Sequence, residues 1–449
     1  MLRRKIEKEM KRWLDKSNKA LLVTGARQVG KTFIIRSVLK EAGMDYVEYN
    51  LIEEQIVVKI LGSSENVDDL VLKLSLYSQK KLTAGKTVIF FDEIQEFPEI
   101  ITKIKFMVED GRFRYILSGS LLGVELKNIH SAPVGSLETI TMFPLDFEEF
   151  LQIANLPDGL LDTLRHCFTE CLPVDQIIHD RMLRLFNLYL IIGGMPAAVD
   201  AYVRTNDMEE VMREHRDIAL QYKNDFTKYE SQNKRLLLTR VYDLIPSELN
   251  SKNNRFKLAS VDKTIRIDRN ENTFIWLTEA GVAIPVCNVT APTFPLELNK
   301  KSSFFKLFLS DVGMLTTQYG RMTKLRIIEN EGGVNEGAIY ENVVAQELIA
   351  HGFTPFYYQS KRTGENDFII EYHDAALPIE IKSGKDYKAH VALDNILSVK
   401  EYEIPRAFVF CRGNVSTAER ISYFPIYMLM FLANPNPDKT MIPLTGFVF

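Results

Sequence analysis

The stretch that most constrains this chain runs from 20 to 32, Ala-Leu-Leu-Val-Thr-Gly-Ala-Arg-Gln-Val-Gly-Lys-Thr. An apolar run breaks at Gly25, four residues intervene, and Gly30-Lys31-Thr32 follow, which is the spacing of a phosphate-binding P-loop. A turn between a buried strand and a helix has to curl its N–H groups around phosphate oxygens, so glycines bracket it. Gly25, Ala26, Arg27, Gln28, Val29, Gly30, Lys31 and Thr32 are therefore expected to cradle a nucleotide. Lys31 would neutralise the β- and γ-phosphates, Thr32 would ligate Mg²⁺, and the helix expected over 33–40 would point its positive end at the anion.

A P-loop needs an acid-bearing strand for the metal, and Lys86-Thr87-Val88-Ile89-Phe90-Phe91-Asp92-Glu93 supplies one, apolar enough to be buried on both faces. Asp92 at its C-terminal edge would hold the Mg²⁺ water shell, and Glu93 would orient or deprotonate the attacking water. The alternative is an acidic pair that caps the next segment. A further strand, 114–118, ends in Ser118-Gly119-Ser120, where Ser118 or Ser120 would contact the γ-phosphate unless this is an ordinary turn.

Strand-like runs near 20–25, 46–51, 86–92, 114–118 and 137–143 alternate with helix-compatible stretches such as 67–81 and 99–109. That rhythm predicts an α/β fold, a five-stranded parallel sheet with helices on both faces. Together these residues resemble the AAA-type branch of P-loop ATPases over about the first 150 positions. The resemblance implies an acid-bearing strand one place away from the P-loop strand, and ATP rather than GTP, since no Asn-Lys-x-Asp element reads guanine.

The chain's 449 residues leave room for several domains, and 46% hydrophobic with 25% charged residues is ordinary globular composition. A net charge of −4 supplies no global drive toward nucleic acid. The N-terminus, basic at Arg3-Arg4-Lys5, continues with mixed charge as an amphipathic helix instead of the apolar core of a signal peptide. The longest apolar stretch, 423–433, is interrupted by Pro425 and falls short of the roughly 20 residues that cross a bilayer. A cytoplasmic protein without a membrane partner is expected. Cys167, Cys171, Cys287 and Cys411 are too few and scattered for a disulfide framework. Cys167 and Cys171 beside His166 lack the second pair that a structural zinc site needs.

The alternation stops after Phe143-Pro144-Leu145-Asp146-Phe147-Glu148-Glu149-Phe150, so the ATPase domain is placed at 1–150 and a helical domain at 151–230. Within the latter, Gly193-Gly194-Met195-Pro196 breaks the helices, for close approach, a sharp turn or contact with the nucleotide. Residues 231–320 read as helices (234–249 and 271–280, the latter closed by Gly281) followed by strands 282–289 and 304–309, joined through Lys300-Lys301. This resembles a winged helix. Its presumed reading helix carries Glu271 and Glu279 and no base, which favours a protein adaptor over a DNA reader.

The last span, 321–449, holds a second constellation: Asp367, the strand 368–372, a turn at 373–376, and Leu377-Pro378-Ile379-Glu380-Ile381-Lys382 returning. Alternation puts Glu380 and Lys382 on one side, and a hairpin centred on the turn places Asp367 opposite Lys382. This resembles the catalytic centre of restriction-endonuclease-like nucleases, with Glu341 or Glu336 as the helical acid and Lys385 as an additional cation. The alternative is a solvated salt pair on a half-exposed strand.

The whole chain, with Phe305-Lys306-Leu307-Phe308-Leu309-Ser310-Asp311-Val312-Gly313 between the winged-helix-like and nuclease-like parts, resembles a large family of prokaryotic AAA-type ATPases whose C-terminal part is uncharacterised. The resemblance implies binding of ATP with Mg²⁺ and its hydrolysis. One departure is Gly135-Ser136, where such proteins usually carry Gly-Arg, a charge sensor. Relatives often form rings completed by a neighbour's arginine, for which Arg112 and Arg114 are candidates. Two readings stay open: an ATPase that also grips or cleaves DNA, and a nucleotide-dependent switch whose nuclease-like domain docks a protein partner.

Overall fold

Side chains that alternate between the two faces of a strand, all of them apolar, can only be satisfied at the centre of a covered sheet. Val88, Ile89, Phe90 and Phe91 are each at most 1% exposed. They belong to β3 (Thr87–Asp92), which with β1 (Ala20–Thr24), β2 (Asp45–Asn50), β4 (Arg114–Ser118) and β5 (Leu137–Thr141) forms the sheet β2-β3-β4-β1-β5. All neighbours in it are parallel. β4 lies between the acid-bearing strand and the P-loop strand, as the resemblance implied. Leu22, Ile89, Phe91, Tyr115 and Leu117 fill one face together with Val57 and Leu61 of α3 (Gln55–Ser63), Leu70 and Leu74 of α4 (Val67–Ser78), and Ile101 and Ile104 of α5 (Ile100–Asp110). Before β1 comes α1 (Ile6–Lys16), and α2 (Lys31–Glu41) follows the P-loop.

The computed structural model describes residues 2–120, 135–229, 232–251, 256, 276–329, 336–384 and 386–434, the side chains of 227–229, 232–234, 302 and 303 excepted. The chain divides into two units, each drawing on stretches far apart in sequence: Met1–Asn155, Leu188–Pro285 and Leu307–Gly332 in one, Leu156–Asn187, Val286–Lys306 and Gly333–Phe449 in the other. No single helix among the described residues is long and apolar enough to cross a membrane. All four cysteines are free thiols.

A mixed eight-stranded sheet of order β12-β13-β11-β10-β9-β8-β6-β7 organises the C-terminal part. Its strands are β6 (Ala283–Val289), β7 (Lys300–Leu309), β8 (Phe356–Ser360), β9 (Gly364–Tyr372), β10 (Ala375–Lys382), β11 (Ala407–Cys411), β12 (Ser416–Ala418) and β13 (Ile421–Pro425). The pair read from sequence as a wing is β6 and β7, and β6 runs parallel to β8 with Cys287 beside Phe356. Of the expected reading helix, only 276–280 lies within the described residues, and Trp276 and Leu277 there are buried. Trp276 meets Phe226 edge-on at 5.1 Å.

The hairpin register differs from the expectation. Ala375 pairs with Tyr372 and Ile379 with Phe368, so Asp367 falls level with Glu380 and not with Lys382. The turn consists of His373 and Asp374 alone, at φ 49° and 57°. Two left-handed residues make the tight turn whose twist matches the flanking strands, and Ala375 and Ala376 are drawn into the ladder.

Two glycine-containing motifs with no evident connection in the sequence meet in the first unit. Asp311 caps the helix Val312–Gln318, its Oδ1 accepting the Met314 N–H at 2.9 Å, while Oδ2 accepts the Gly194 N–H at 2.6 Å. The Gly194 carbonyl in turn accepts the Leu145 N–H at 2.7 Å. A Cβ on Gly194 would lie 1.9 Å from the Leu145 carbonyl oxygen, and one on Gly313 would lie 2.4 Å from that of Ile192. Main chain packs directly on main chain here. Burial raises the Asp311 carboxyl to about 6 and lowers the nearby Lys324 ammonium to about 7. Gly194→Ala should destabilise this unit by roughly 2–4 kcal/mol, because backbone must move to admit the methyl group. The check is the lowest thermal unfolding transition, which should drop by several degrees, whereas Gly43→Ala, with open space around its Cβ position and only its left-handed backbone (φ 63°) opposing a side chain, should cost about 1 kcal/mol.

Candidate functional site

The phosphate loop takes its shape from three backbone positions: Gly25 at φ 135°, Gln28 at 68° and Gly30 at 94°. At Gly25 a Cβ would sit 2.1 Å from the Met142 carbonyl oxygen, so this position tolerates no side chain. α2 begins at Lys31, turning its unpaired N–H groups and positive end toward the loop. The Lys31 ammonium reaches back into the loop and donates to the carbonyls of Gly25 at 3.0 Å and Ala26 at 2.8 Å. Burial lowers it to about 8 against the opposing pull of Glu93 and Asp92. A buried cation held by neutral carbonyl oxygens suits an incoming anion.

Asp92, 2% exposed, is the hub of the acidic side. Its Oδ2 accepts from the Thr32 hydroxyl at 2.8 Å, and its Oδ1 accepts from the Ser118 hydroxyl and, at 3.0 Å, from the Glu93 N–H. Glu93 leaves the strand at φ 57° and opens a 3₁₀ turn, Ile94–Glu96. Arg27, Gln28, Gly30, Lys31, Thr32, Arg36 and Glu93 line a cleft of about 510 Å³ together with Pro196, Ala197 and Gln221. An apolar slot of about 580 Å³ adjoins it across Gly30 and Phe33, walled by Val29, Met142, Leu145, Pro196, Val199 and Val203. The donor set fits a triphosphate with its divalent cation: cationic and hydroxyl groups at one end of the cleft, a buried carboxylate facing them.

Ser120 is placed differently from Ser118. Its hydroxyl accepts from the Arg27 Nε at 3.2 Å, and the same guanidinium pairs with Asp225 at 2.6 Å. Tyr222 donates to the Arg27 carbonyl at 3.2 Å, and Gln28 bonds to Gln221 at 2.9 Å. The helix Met208–Tyr229 thus grips the P-loop through Gln221, Tyr222 and Asp225. Sequence reasoning missed these three, since nothing distinguishes them from other polar positions on a long amphipathic helix. Gly193 and Gly194 serve the close approach described above, while Pro196 after them lines the cleft. Arg112 pairs with Asp110 and Asp68, and Arg114 donates to the Leu14 carbonyl and lies 5.9 Å over the Trp13 ring.

The C-terminal constellation also converges, but around a lysine. Lys382 pairs with Glu380 at 2.9 Å, Glu380 accepts from Asn366 at 3.1 Å, and Asp367 accepts the Ile381 N–H at 2.8 Å. Lys306 on β7, with its side chain fully buried, lies 2.9 Å from both Glu341 and Glu365 and 5.3 Å over the Tyr357 ring. Burial opposes the Lys306 charge, yet Glu341, Glu365 and Asp367 outweigh it and raise its pKa. Burial, with the charges of Glu380 and Glu341, pushes Asp367 well above the usual carboxylate range. Glu336 stands apart, half-buried near Arg412. Lys385 lies outside the described residues. Among the described residues no three or more His, Cys, Asp or Glu side chains are grouped to hold a metal ion. A lysine inside the apolar run 304–309 was the available signal for this arrangement.

Residues 17–151 match a family model described as an AAA domain, 183–325 one described as a domain of unknown function (DUF8612), and 336–429 another (DUF4143). No curated protein matches the chain. Among solved structures it is similar to the Walker-type ATPase of Pyrococcus abyssi, at 15% identity over 71% of this chain and 96% of that one, with a TM-score of 0.42. It is also similar to Cdc6p of Pyrobaculum aerophilum (11% identity, 73% and 92% covered, TM-score 0.25) and the Pif1 helicase of Candida albicans (18%, 39% and 49%, TM-score 0.23). The N-terminal third is an AAA-type P-loop ATPase domain.

A triphosphate beside Lys31 would raise its pKa again, so binding takes up a proton wherever the free protein has lost one. Affinity for ATP should be flat below about pH 8 and fall about tenfold by pH 9, the loss continuing until the pKa of the bound form is passed. Calorimetry across pH 7–9.5 reads this directly. A constant affinity over that range would overturn the lowered pKa of the free ammonium.

Proposed function

We propose that this chain binds ATP with Mg²⁺, hydrolyses it, and uses the nucleotide state as a conformational switch. The observation that carries the reading is the meeting of Thr32 and Ser118 on the two oxygens of Asp92, beside a lysine buried in the P-loop. Backbone N–H groups of 25–32 hold the phosphates and Lys31 neutralises them. The apolar slot beside Phe33 takes the base, a flat ring that prefers a water-free wall. Thr32 and Asp92 would hold the metal, which would offset the negative charge of the phosphates. Glu93 accepts the proton of the attacking water as the bond to the departing diphosphate breaks. Ser118 reports on the γ-phosphate by giving up its bond to Asp92, and Ser120, joined to Arg27 and Asp225, passes the change to the helix 208–229.

For the nuclease-like region we favour a docking role for a protein partner over cleavage. Metal-dependent cleavage needs ionised carboxylates facing a divalent cation. Here the Lys306 ammonium already pairs with both Glu341 and Glu365, which supports a centre held by an internal cation.

Lys31→Ala should weaken ATP binding at least about 100-fold, or about 2.7 kcal/mol, without unfolding the protein. Glu93→Gln should keep the affinity within a few-fold while phosphate release slows by about 10²–10⁴. Unchanged affinity in the first variant, or unchanged turnover in the second, rejects the corresponding role. Supercoiled plasmid incubated with protein, ATP and Mg²⁺ should stay intact. Nicking that disappears in Glu380→Ala would overturn the docking assignment and restore a nuclease.

A further inference from the structure

We infer that Arg27 binds the terminal phosphate of the nucleotide and that Asp225 competes with that phosphate for it, an assignment that rests on the ATP binding proposed above. Among the described residues two arginines, Arg27 and Arg36, line the cleft. Arg36 is committed elsewhere, its Nε and Nη2 donating to the two carboxylate oxygens of Glu48. Arg112 and Arg114 lie just before and at the start of β4. Since β1 and β4 run parallel and the P-loop follows the end of β1, both stand at the opposite edge of the sheet. Arg27 is the cation left to meet a phosphate beyond Lys31.

The order of residues along the site sets which phosphate that is. The apolar slot and the cleft share Gly30, Phe33 and Pro196, whereas Arg27, Lys31, Thr32 and Glu93 border the cleft alone. A nucleotide with its base in the slot therefore runs past Gly30 and Lys31 and ends toward Glu93 and Arg27. The guanidinium is anchored on that side, donating to Ser120 two residues beyond the Ser118 hydroxyl that bonds Asp92. Burial lowers the pKa of the Lys31 ammonium, and the charge of Arg27 lowers it further. Cations close enough to repel each other both gain from a polyanion.

Buried groups already hold part of this guanidinium. Its Nε donates to Ser120 at 3.2 Å and its Nη1 pairs with Asp225 at 2.6 Å, residues 1% and 5% exposed, while the Arg27 side chain keeps 25% of its surface open. A planar group with five donors has an edge to spare, and among the described residues its Nη2 has no partner. Gly281 keeps the loop from backing away, since a Cβ there would sit 2.9 Å from the Ala26 nitrogen. Asp225 cancels the charge that a phosphate would use, so its pull on Arg27 weakens the ligand. By the same factor the ligand weakens the grip of the helix 208–229 on the P-loop. ADP lacks the phosphate in question and leaves the pair intact.

The test is calorimetry with Mg²⁺ and either ADP or β,γ-imido ATP, an analogue that is not hydrolysed, on the wild-type protein, Arg27→Ala, Arg27→Gln and Asp225→Asn. Both Arg27 variants should bind the triphosphate about 10–100-fold more weakly while ADP affinity stays within about threefold. Asp225→Asn should shift the same ratio the other way, with the triphosphate bound about 3–10-fold more tightly and ADP unchanged. A merely structural bridge does not give opposite shifts, since breaking it from either side would weaken both nucleotides. Equal losses for ADP and the triphosphate in both Arg27 variants, or no loss in either, overturn the inference while the ATP-binding reading stands. A triphosphate that binds Asp225→Asn no more tightly than the wild type overturns the competition. If the wild-type protein binds neither nucleotide, the ATP-binding reading fails and takes this assignment with it. Arg27→Gln keeps the aliphatic stem and a donor, which guards against a collapsed loop in Arg27→Ala.

Discussion

The structure of the first unit depends on main chain lying directly on main chain beneath the phosphate loop. Gly25 rests on the Met142 carbonyl, Gly194 on that of Leu145, and Gly313 on that of Ile192. Each contact leaves no room for even a methyl group, so a stiff layer of backbone supports the loop from below. Met142 and Leu145 belong to the chain just after β5, and Gly194 is held by Asp311 across a long span of sequence. A glycine loop alone would be floppy. Its anion-binding geometry persists because the layers under it are locked by carbonyl and carboxylate hydrogen bonds.

Charge is handled in contrasting ways at the two constellations. In the ATPase domain the cation is a lysine bonded to neutral carbonyls, with its carboxylate partners a little further off, so burial wins and its pKa falls. Around Lys306 the carboxylates are in direct contact, so their charge outweighs burial and its pKa rises. The first arrangement is left in want of anionic charge, whereas the second already holds its cation between two carboxylates. Proximity of the counter-charge, more than depth of burial, decides which site can still take up an ionic ligand.

Contacts between Arg27 and the helix 208–229 give the P-loop a route to the helical region. The guanidinium bridges Ser120 at the end of β4 and Asp225 on that helix, while Tyr222 and Gln221 hold the loop backbone and Gln28. A phosphate that drew Arg27 away would release both partners at once. Arg27 lines the nucleotide cleft and pairs with that helix directly, so under the proposed switch this joint is where nucleotide state would become movement.

Local chemistry explains how much could be read in advance. The P-loop, the acid-bearing strand and the five-strand parallel sheet are legible because each rests on short-range rules: glycine spacing, continuous apolar runs and strand–helix alternation. The hairpin in the last third was legible as a hairpin, but its register was not, since whether Ala375 and Ala376 turn or pair depends on strand twist and not on the residues alone. Lys306 and Asp225 escaped because their partners lie far away along the chain, on Glu341 and Glu365 and on the P-loop. Sequence by itself determined which backbone could curl around a phosphate. Tertiary structure alone decided which charges would meet, because a Coulomb interaction depends on distance through space, and that distance is set by packing between segments far apart along the chain.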